Sequence, residues 1–276
     1  MNYRKGLVSG KTYECKSDYD NVPNSWEMQY GIEKDISGVW KDIINTSSFL
    51  DAKTQIDDLL DRMENNSETN GFLGEKQDIH TDALNGFRLD DRDIYYMFFD
   101  QLKQCQEKAI QSGKPIPDGN IIFVAIRNTI QNYLGAPSNN ARNIRRALTD
   151  VEYIDDDDFV LPSIKKQKGQ HCGLCTEMSA IAHNLWLLTG RESSFVTTKD
   201  CAINGVDQQF ARDGHTFCMV NTGSHYKLCD FALNKFDNIP FNPIESLKNN
   251  EPLCFGDYIY TDASIVKDND KHCKRQ

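Results

Sequence analysis

An α+β fold is predicted by three features of the sequence, met in chain order. Between residues 46 and 150, apolar residues recur at helical spacing in successive stretches. A single helical stretch follows from about Cys175 to Thr189. After it come short runs of alternating or continuous apolar residues, SSFVTT, HTFCMV, YKLCDFAL and FGDYIYT, which read as strands.

Residues 1 to 45 carry no sustained periodicity, because Gly, Asn, Asp and Ser interrupt every apolar pair, and an irregular N-terminal segment is expected there. A helix is expected from Ser48, with Asp51 three residues on as a capping partner and Phe49, Ala52, Ile56, Leu59, Leu60 and Met63 in one stripe; NNSETNG ends it. A second begins near Asp90 and carries Ile94, Met97, Phe98, Leu102, Cys105 and Ala109, with Gly113 and Pro115 as its stop. The third runs from about Ile121 to Leu134, before Gly135 and Pro137. The fourth starts behind Ser138 and carries Ile144, Ala147 and Leu148. Together they define a helical region over 46–150 whose stripes are core faces with no assigned site. The run Asp155–Asp158 has no ligand spacing around it, reads as a solvated loop, and marks a boundary before the last part of the chain, 151–276.

The formal net charge of −10 argues against general binding to nucleic acid or anionic membranes, which would be repelled at long range. No stretch reaches the roughly 18 apolar residues that a membrane span needs. The opening MNYRKGLVSGKTYE has no apolar core of a secretory signal, so a cytoplasmic protein with mostly reduced thiols is expected. Of nine cysteines, five (Cys172, Cys175, Cys201, Cys218, Cys229) crowd into about a fifth of the chain, with His171, His183, His215 and His225 among them.

The centre of that crowd is QKGQHCGLCTEMSAIAHNLWLLTG, residues 167 to 190. Cys172-Gly-Leu-Cys175 has the spacing of a redox dithiol, but LPSIKKQKGQH before it is a poor strand. His171, Cys172, Cys175, His215, Cys218, His225 and Cys229 exceed the four ligands of a tetrahedral zinc, without a clean second knuckle. The third reading is a nucleophile. Cys175 opens a helix, where the dipole and free N–H groups favour a thiolate, and Met178, Ile181, Ala182, Leu185 and Leu188 anchor that helix before Gly190 closes it. Downstream, His215 and Asp230 stand in apolar strand-like runs joined through Gly223 and Ser224. A hairpin would set them on neighbouring strands at the same end, each the partner the other needs. A purely structural His–Asp pair remains open at this point.

Gly-Leu-Cys175-Thr-Glu-Met-Ser179, the Leu-Leu-Thr-Gly190 that ends the helix, Gly214-His215-Thr-Phe and Lys227-Leu-Cys-Asp230 resemble the core signature of transglutaminase-like cysteine enzymes. The order Cys, His, Asp, with steps of 40 and then 15 residues, is especially similar to the deamidase domains of bacterial toxins and effectors related to Pasteurella multocida toxin. Phe217 stands where that family often has Trp, and Ser179 where many members have Ala. The resemblance implies a papain/transglutaminase-like catalytic core in 151–276 and a Cys175–His215–Asp230 triad for acyl transfer. Glutamine deamidation is preferred over proteolysis or transglutamination. It implies no cofactor and no metal; the partner is a protein substrate, in the effector setting a host signalling protein met after export without a classical signal. Gln170 and the Cys175 N–H are the oxyanion candidates, and Cys172 a redox partner able to switch Cys175 off. A zinc-stabilised binding module and a non-catalytic adaptor are the alternatives.

Overall fold

The structure, a computed structural model, describes residues 3–8, 11–16, 41, 43–45, 48–65, 79–80, 89, 91–116, 118–148, 160–161, 164–198, 200–203, 209–211, 215–222, 225–239, 243–255, 258–261 and 263–265. In chain order its elements are β1 (Tyr3–Val8), β2 (Lys11–Lys16), α1 (Phe49–Asn65), β3 (Ile79–His80), α2 (Asp93–Gln111), α3 (Asp118–Leu134), α4 (Ala141–Leu148), β4 (Val160–Leu161), α5 (Ile164–Gln167), α6 (Cys175–Leu188), β5 (Ser193–Thr198), β6 (Asp200–Ile203), β7 (Gln209–Ala211), β8 (His215–Asn221), β9 (Tyr226–Asp230), β10 (Lys235–Ile239), α7 (Pro243–Lys248), β11 (Leu253–Phe255), β12 (Tyr258–Thr261) and β13 (Ser264–Ile265). Helices and antiparallel sheets are thus both present, as the α+β reading expects. They fall into two compact units divided after Gly190, with the N-terminal strands belonging to the second. The boundary expected at Asp155–Asp158 lies outside the described residues.

The first unit is built on helices. Ile94, Phe98 and Leu102 of α2 are buried as the stripe required, joined by Tyr95 and Phe99. On α3 the buried set widens to Ile121, Ile122, Ala125, Ile126, Ile130 and Tyr133. Gly113 and Gly135, at φ 64° and 77°, take the left-handed backbone that stops a helix at little cost. In α1, Ile56, Leu59 and Leu60 are buried; the side chains of Phe49 and Met63 lie outside the described set. Two expectations change. The core-facing residues of α4 are Ala141 and Arg145, not Ile144, Ala147 and Leu148, because Arg145 has a buried carboxylate to meet. The helix α6 is not a one-stripe helix but is buried nearly all round, Trp186 and His183 included, as befits a central helix. Among the described residues, no helix is long and apolar enough to cross a membrane.

The second unit holds a five-stranded sheet in the order β10-β9-β8-β5-β13 and a four-stranded sheet in the order β11-β12-β6-β7. The central strand β8 reads His-Thr-Phe-Cys-Met-Val-Asn, and its first six residues are all buried. It pairs with β5 from Ser193↔Val220 to Thr198↔His215, and with β9 from Cys218↔Cys229 to Asn221↔Tyr226. Val196, Phe217, Met219, Leu228, Leu253 and Tyr260 form the heart of its apolar core. In place of the irregular segment expected over residues 1 to 45, β1 and β2 form an antiparallel hairpin, Tyr3↔Lys16 to Val8↔Lys11. Strands of six residues, rich in Lys and Tyr, are too short and too polar to show as a period.

His183, wholly buried on α6, is pushed down to about 3 by the loss of water around it. An unfolded histidine titrates near 6.5, so between these values the unfolded chain binds a proton that the folded chain does not. The contribution of His183 to stability is therefore intact above about pH 6.5 and declines as pH falls, by up to ~1.4 kcal/mol per pH unit. His183→Gln is expected to flatten that part of the stability curve, read by urea unfolding from about pH 7 to about pH 4. An unchanged slope would contradict the buried neutral imidazole.

Candidate active site

The stretch before Cys175 is laid against the C-terminal end of α3. The Gly169 N–H donates to Tyr133 O at 2.7 Å, and the His171 N–H to Leu134 O at 2.9 Å. The Ser138 N–H returns a bond to His171 O at 2.8 Å, and His171 Nδ1 meets Ala136 O at 2.9 Å. His171 is itself left-handed, at φ 56°. The approach is close enough to demand glycine on both sides. A Cβ on Gly135 would stand 2.5 Å from His171 Nδ1, and one on Gly173 would run into the Leu134 side chain. The glycines of the motif thus serve backbone contact. The segment before it, α5, is a helical turn and not the strand that a thioredoxin-like dithiol needs.

Leu174 is the N-cap of α6, in an extended conformation, and Cys175 is the first helical residue, half-buried and outside any disulfide. Glu177 reaches back so that its Oε2 accepts the Leu174 N–H at 3.0 Å. Its Oε1 meets Arg145 of α4 at 2.7 Å, with both side chains buried. The N-terminus of the cysteine helix is therefore fixed by a cap and an ion pair sharing one carboxylate. The motif holds a signal for Glu177, an acidic residue three beyond the N-cap. Nothing local marks Arg145 among the three arginines of Ala-Arg-Asn-Ile-Arg-Arg-Ala-Leu.

Cys172 is buried, and its thiol points to Gln167 Oε1 at 3.6 Å. Burial, followed by the Glu177 charge and partly opposed by Arg145, pushes its pKa up to about 11. Neither Cys172 nor Cys175 is in a disulfide. A thiol held neutral is a poor attacking group, so a disulfide between them would have to start from the sulfur of Cys175. Gln170 is exposed in the turn after α5, its N–H donating to Gln167 O at 3.0 Å.

In the second unit, His215 opens β8 and Asp230 closes β9, and the antiparallel register sets them at one end of the sheet. His215 Nε2 lies 2.6 Å from Asp230 Oδ2, with both side chains buried. A carboxylate accepts, so Nε2 carries the hydrogen and donates. Asp230 Oδ1 accepts the Leu233 N–H at 3.1 Å, which turns the chain out of β9 at Phe231 to Asn234. Tyr260 of β12 donates its hydroxyl to Oδ2 at 3.4 Å, and its ring lies parallel to the imidazole, 15° between planes and 6.1 Å between centroids. Phe217, the residue in the place of the family's tryptophan, packs on Tyr260 at 4.8 Å. Tyr260 escaped the sequence reading: it stands in a strand thirty residues beyond Asp230 with nothing local to mark it.

The structure thus brings His215 and Asp230 together within one unit and sets Cys175 at a capped helix start in the other. Three of the remaining zinc candidates have other employment. His171 is bonded to a backbone carbonyl, and Cys218 and Cys229 are cross-strand neighbours buried in the sheet, where burial pushes both thiols up. Among the described residues, no group of three or more His, Cys, Asp or Glu side chains converges as a metal would require. Cys254 is disulfide-bonded. No protein-family model, curated protein or solved structure matches the chain.

Arg145→Met leaves the Glu177 carboxylate buried without its cation, a change that typically costs about 3–5 kcal/mol. Arg145→Met with Glu177→Gln removes the stranded charge and keeps an acceptor for the Leu174 N–H. Urea unfolding is expected to show the double variant recovering most of the loss; equal losses in both would mean that the pair contributes by packing alone.

Proposed function

We propose that the chain is a cysteine-dependent acyl-transfer enzyme that deamidates a glutamine side chain of a protein substrate. The observation that carries this reading is the buried 2.6 Å bond between His215 Nε2 and Asp230 Oδ2. Burying an imidazole against a carboxylate at one end of an apolar sheet costs desolvation that a plain pair of apolar residues would not. Buried, mutually oriented ionisable groups of this kind are often found at functional sites. Cys175, opening a capped helix, is the matching nucleophile, and a helix of this kind and antiparallel strands are both ingredients of the papain/transglutaminase-like core that the motifs resemble.

Each group has one task. The Cys175 thiolate attacks the carboxamide carbon, forming a C–S bond while the carbonyl electrons move to oxygen. The Cys175 N–H at the helix start and Gln170 are the donors proposed for that oxyanion. As the tetrahedral intermediate collapses, the C–N bond breaks and the nitrogen leaves as ammonia with a proton from His215. Nε2 is engaged with Asp230, so the proton moves through Nδ1. Asp230 stays ionised, fixing the ring plane and stabilising the imidazolium. A water molecule, deprotonated by the same nitrogen, attacks the thioester and releases glutamate and the thiol. Water is the only co-reactant. A lysine amine in its place gives transglutamination, and attack at a backbone amide gives proteolysis. In an effector setting the substrate is a host signalling protein, and when a peroxide oxidises the Cys175 thiolate to a sulfenic acid, Cys172 displaces water from it to form a reversible disulfide.

Incubating the purified chain with glutamine-containing proteins is expected to release ammonia and to raise the mass of single glutamine residues by one dalton, with the change lost in Cys175→Ala and His215→Ala. Asp230→Asn is expected to keep the fold and lose at least ~100-fold in kcat, the carboxylate being the ring's orienter. Backbone cleavage with no mass gain at glutamine would replace deamidation by proteolysis. Full activity in Cys175→Ala would remove the triad.

A further inference from the structure

We propose that Tyr260 is a positioning residue for the His215–Asp230 pair, holding the carboxylate with its hydroxyl and the imidazole with its ring. This rests on the reading of His215 and Asp230 as the working pair. Tyr260 is wholly buried on β12, a strand of the four-stranded sheet, whereas His215 and Asp230 belong to the five-stranded one. It is therefore a third point of attachment from outside the hairpin.

The contacts divide the work between the two parts of the side chain. The hydroxyl donates to Asp230 Oδ2 at 3.4 Å, the same oxygen that receives His215 Nε2 at 2.6 Å, while Oδ1 takes the Leu233 N–H at 3.1 Å. The carboxylate is thus gripped by three donors from three different elements. Donation by the hydroxyl also draws charge away from Oδ2. The His–Asp bond is weaker than it would be with Oδ2 given to His215 alone, and the imidazole is less basic. The Tyr260 ring, parallel to the imidazole, blocks rotation of His215 toward that side, and Phe217 at 4.8 Å fixes the Tyr260 ring in turn. Among the described residues, the other titratable groups shown to sense Asp230 are the thiols of Cys218 and Cys229, on β8 and β9, which burial keeps neutral through the ordinary pH range. On β5, the register partner of His215 is Thr198, which does not titrate.

The test is the titration of His215 by NMR, followed through its ring signals in the full chain and assigned by their loss in His215→Ala. Tyr260→Phe keeps the ring and deletes the donor. The His215 midpoint is expected to rise by about half a pH unit, with the Nε2-bound proton moving downfield as the His–Asp bond strengthens. Phe217→Leu is the packing control, expected to lower thermal stability and leave the midpoint in place. Should Tyr260→Phe fail to fold, 3-fluorotyrosine at position 260, a stronger donor, is expected to move the midpoint down. An unmoved midpoint in a folded Tyr260→Phe or in the fluorinated chain, or one that shifts equally in Phe217→Leu, would reduce Tyr260 to core packing. No substrate enters this measurement. A shifted midpoint in a chain without Cys175-dependent deamidation would remove the proposed function and leave Tyr260 as the group that sets the pair.

Discussion

A carboxylate without water must be met by donors from the protein, and Asp230 is that constraint in the second unit. Its side chain is buried completely, and three neighbours answer it: an imidazole from the next strand, a backbone N–H from the turn that follows, and a phenol from the other sheet. Each answer fixes something larger. The imidazole ties together the ends of β8 and β9, whose register places His215 and Asp230 on one face with Phe217 and Met219. The N–H ends β9 and starts the tight turn into β10, and the phenol joins the two sheets.

The first unit repeats the arrangement with a guanidinium as the donor. Glu177 is also buried completely, and it is met by Arg145 and by the Leu174 N–H. What that carboxylate holds in place is the first turn of α6, and with it the position of Cys175. The same charge acts on the second thiol of the motif. Together with burial it keeps Cys172 in the thiol form, whereas Cys175, one helical residue from the cap, is half-exposed. Two cysteines three residues apart thus differ in character because one faces the buried carboxylate's surroundings and the other the helix end. The glycines around them let the backbone of residues 169 to 173 lie on the end of α3.

What could be read in advance was whatever a local pattern encodes. The helices α2 and α3 showed because their stripes are long and Gly113, Pro115, Gly135 and Pro137 punctuate them. SSFVTT is β5 residue for residue. The His215–Asp230 pair was legible because an ionisable residue inside an apolar strand asks for a partner, and a hairpin offered one. The failures are of three kinds. β9 ends at Asp230 and not at Leu233 because the Asp230 side chain captures a backbone N–H, an event with no periodic trace. β10, Lys-Phe-Asp-Asn-Ile, is an edge strand with exposed polar residues and so lacks the alternation that reveals inner strands. Arg145 and Tyr260 act through partners at least thirty residues away, and no window along the chain contains both ends of such a contact.

The central claim is that the His215–Asp230 pair serves the thiol of Cys175, and the most direct measurement is the alkylation rate of that thiol as a function of pH, followed by mass spectrometry in the native chain and in His215→Ala. A Cys175 served by the imidazole reacts with iodoacetamide at neutral pH faster than the half-buried Cys105, whose thiol burial pushes up, and falls at least about tenfold when His215 is removed. A rate that is the same with and without His215 would contradict the account and leave the pair as a device for closing a sheet.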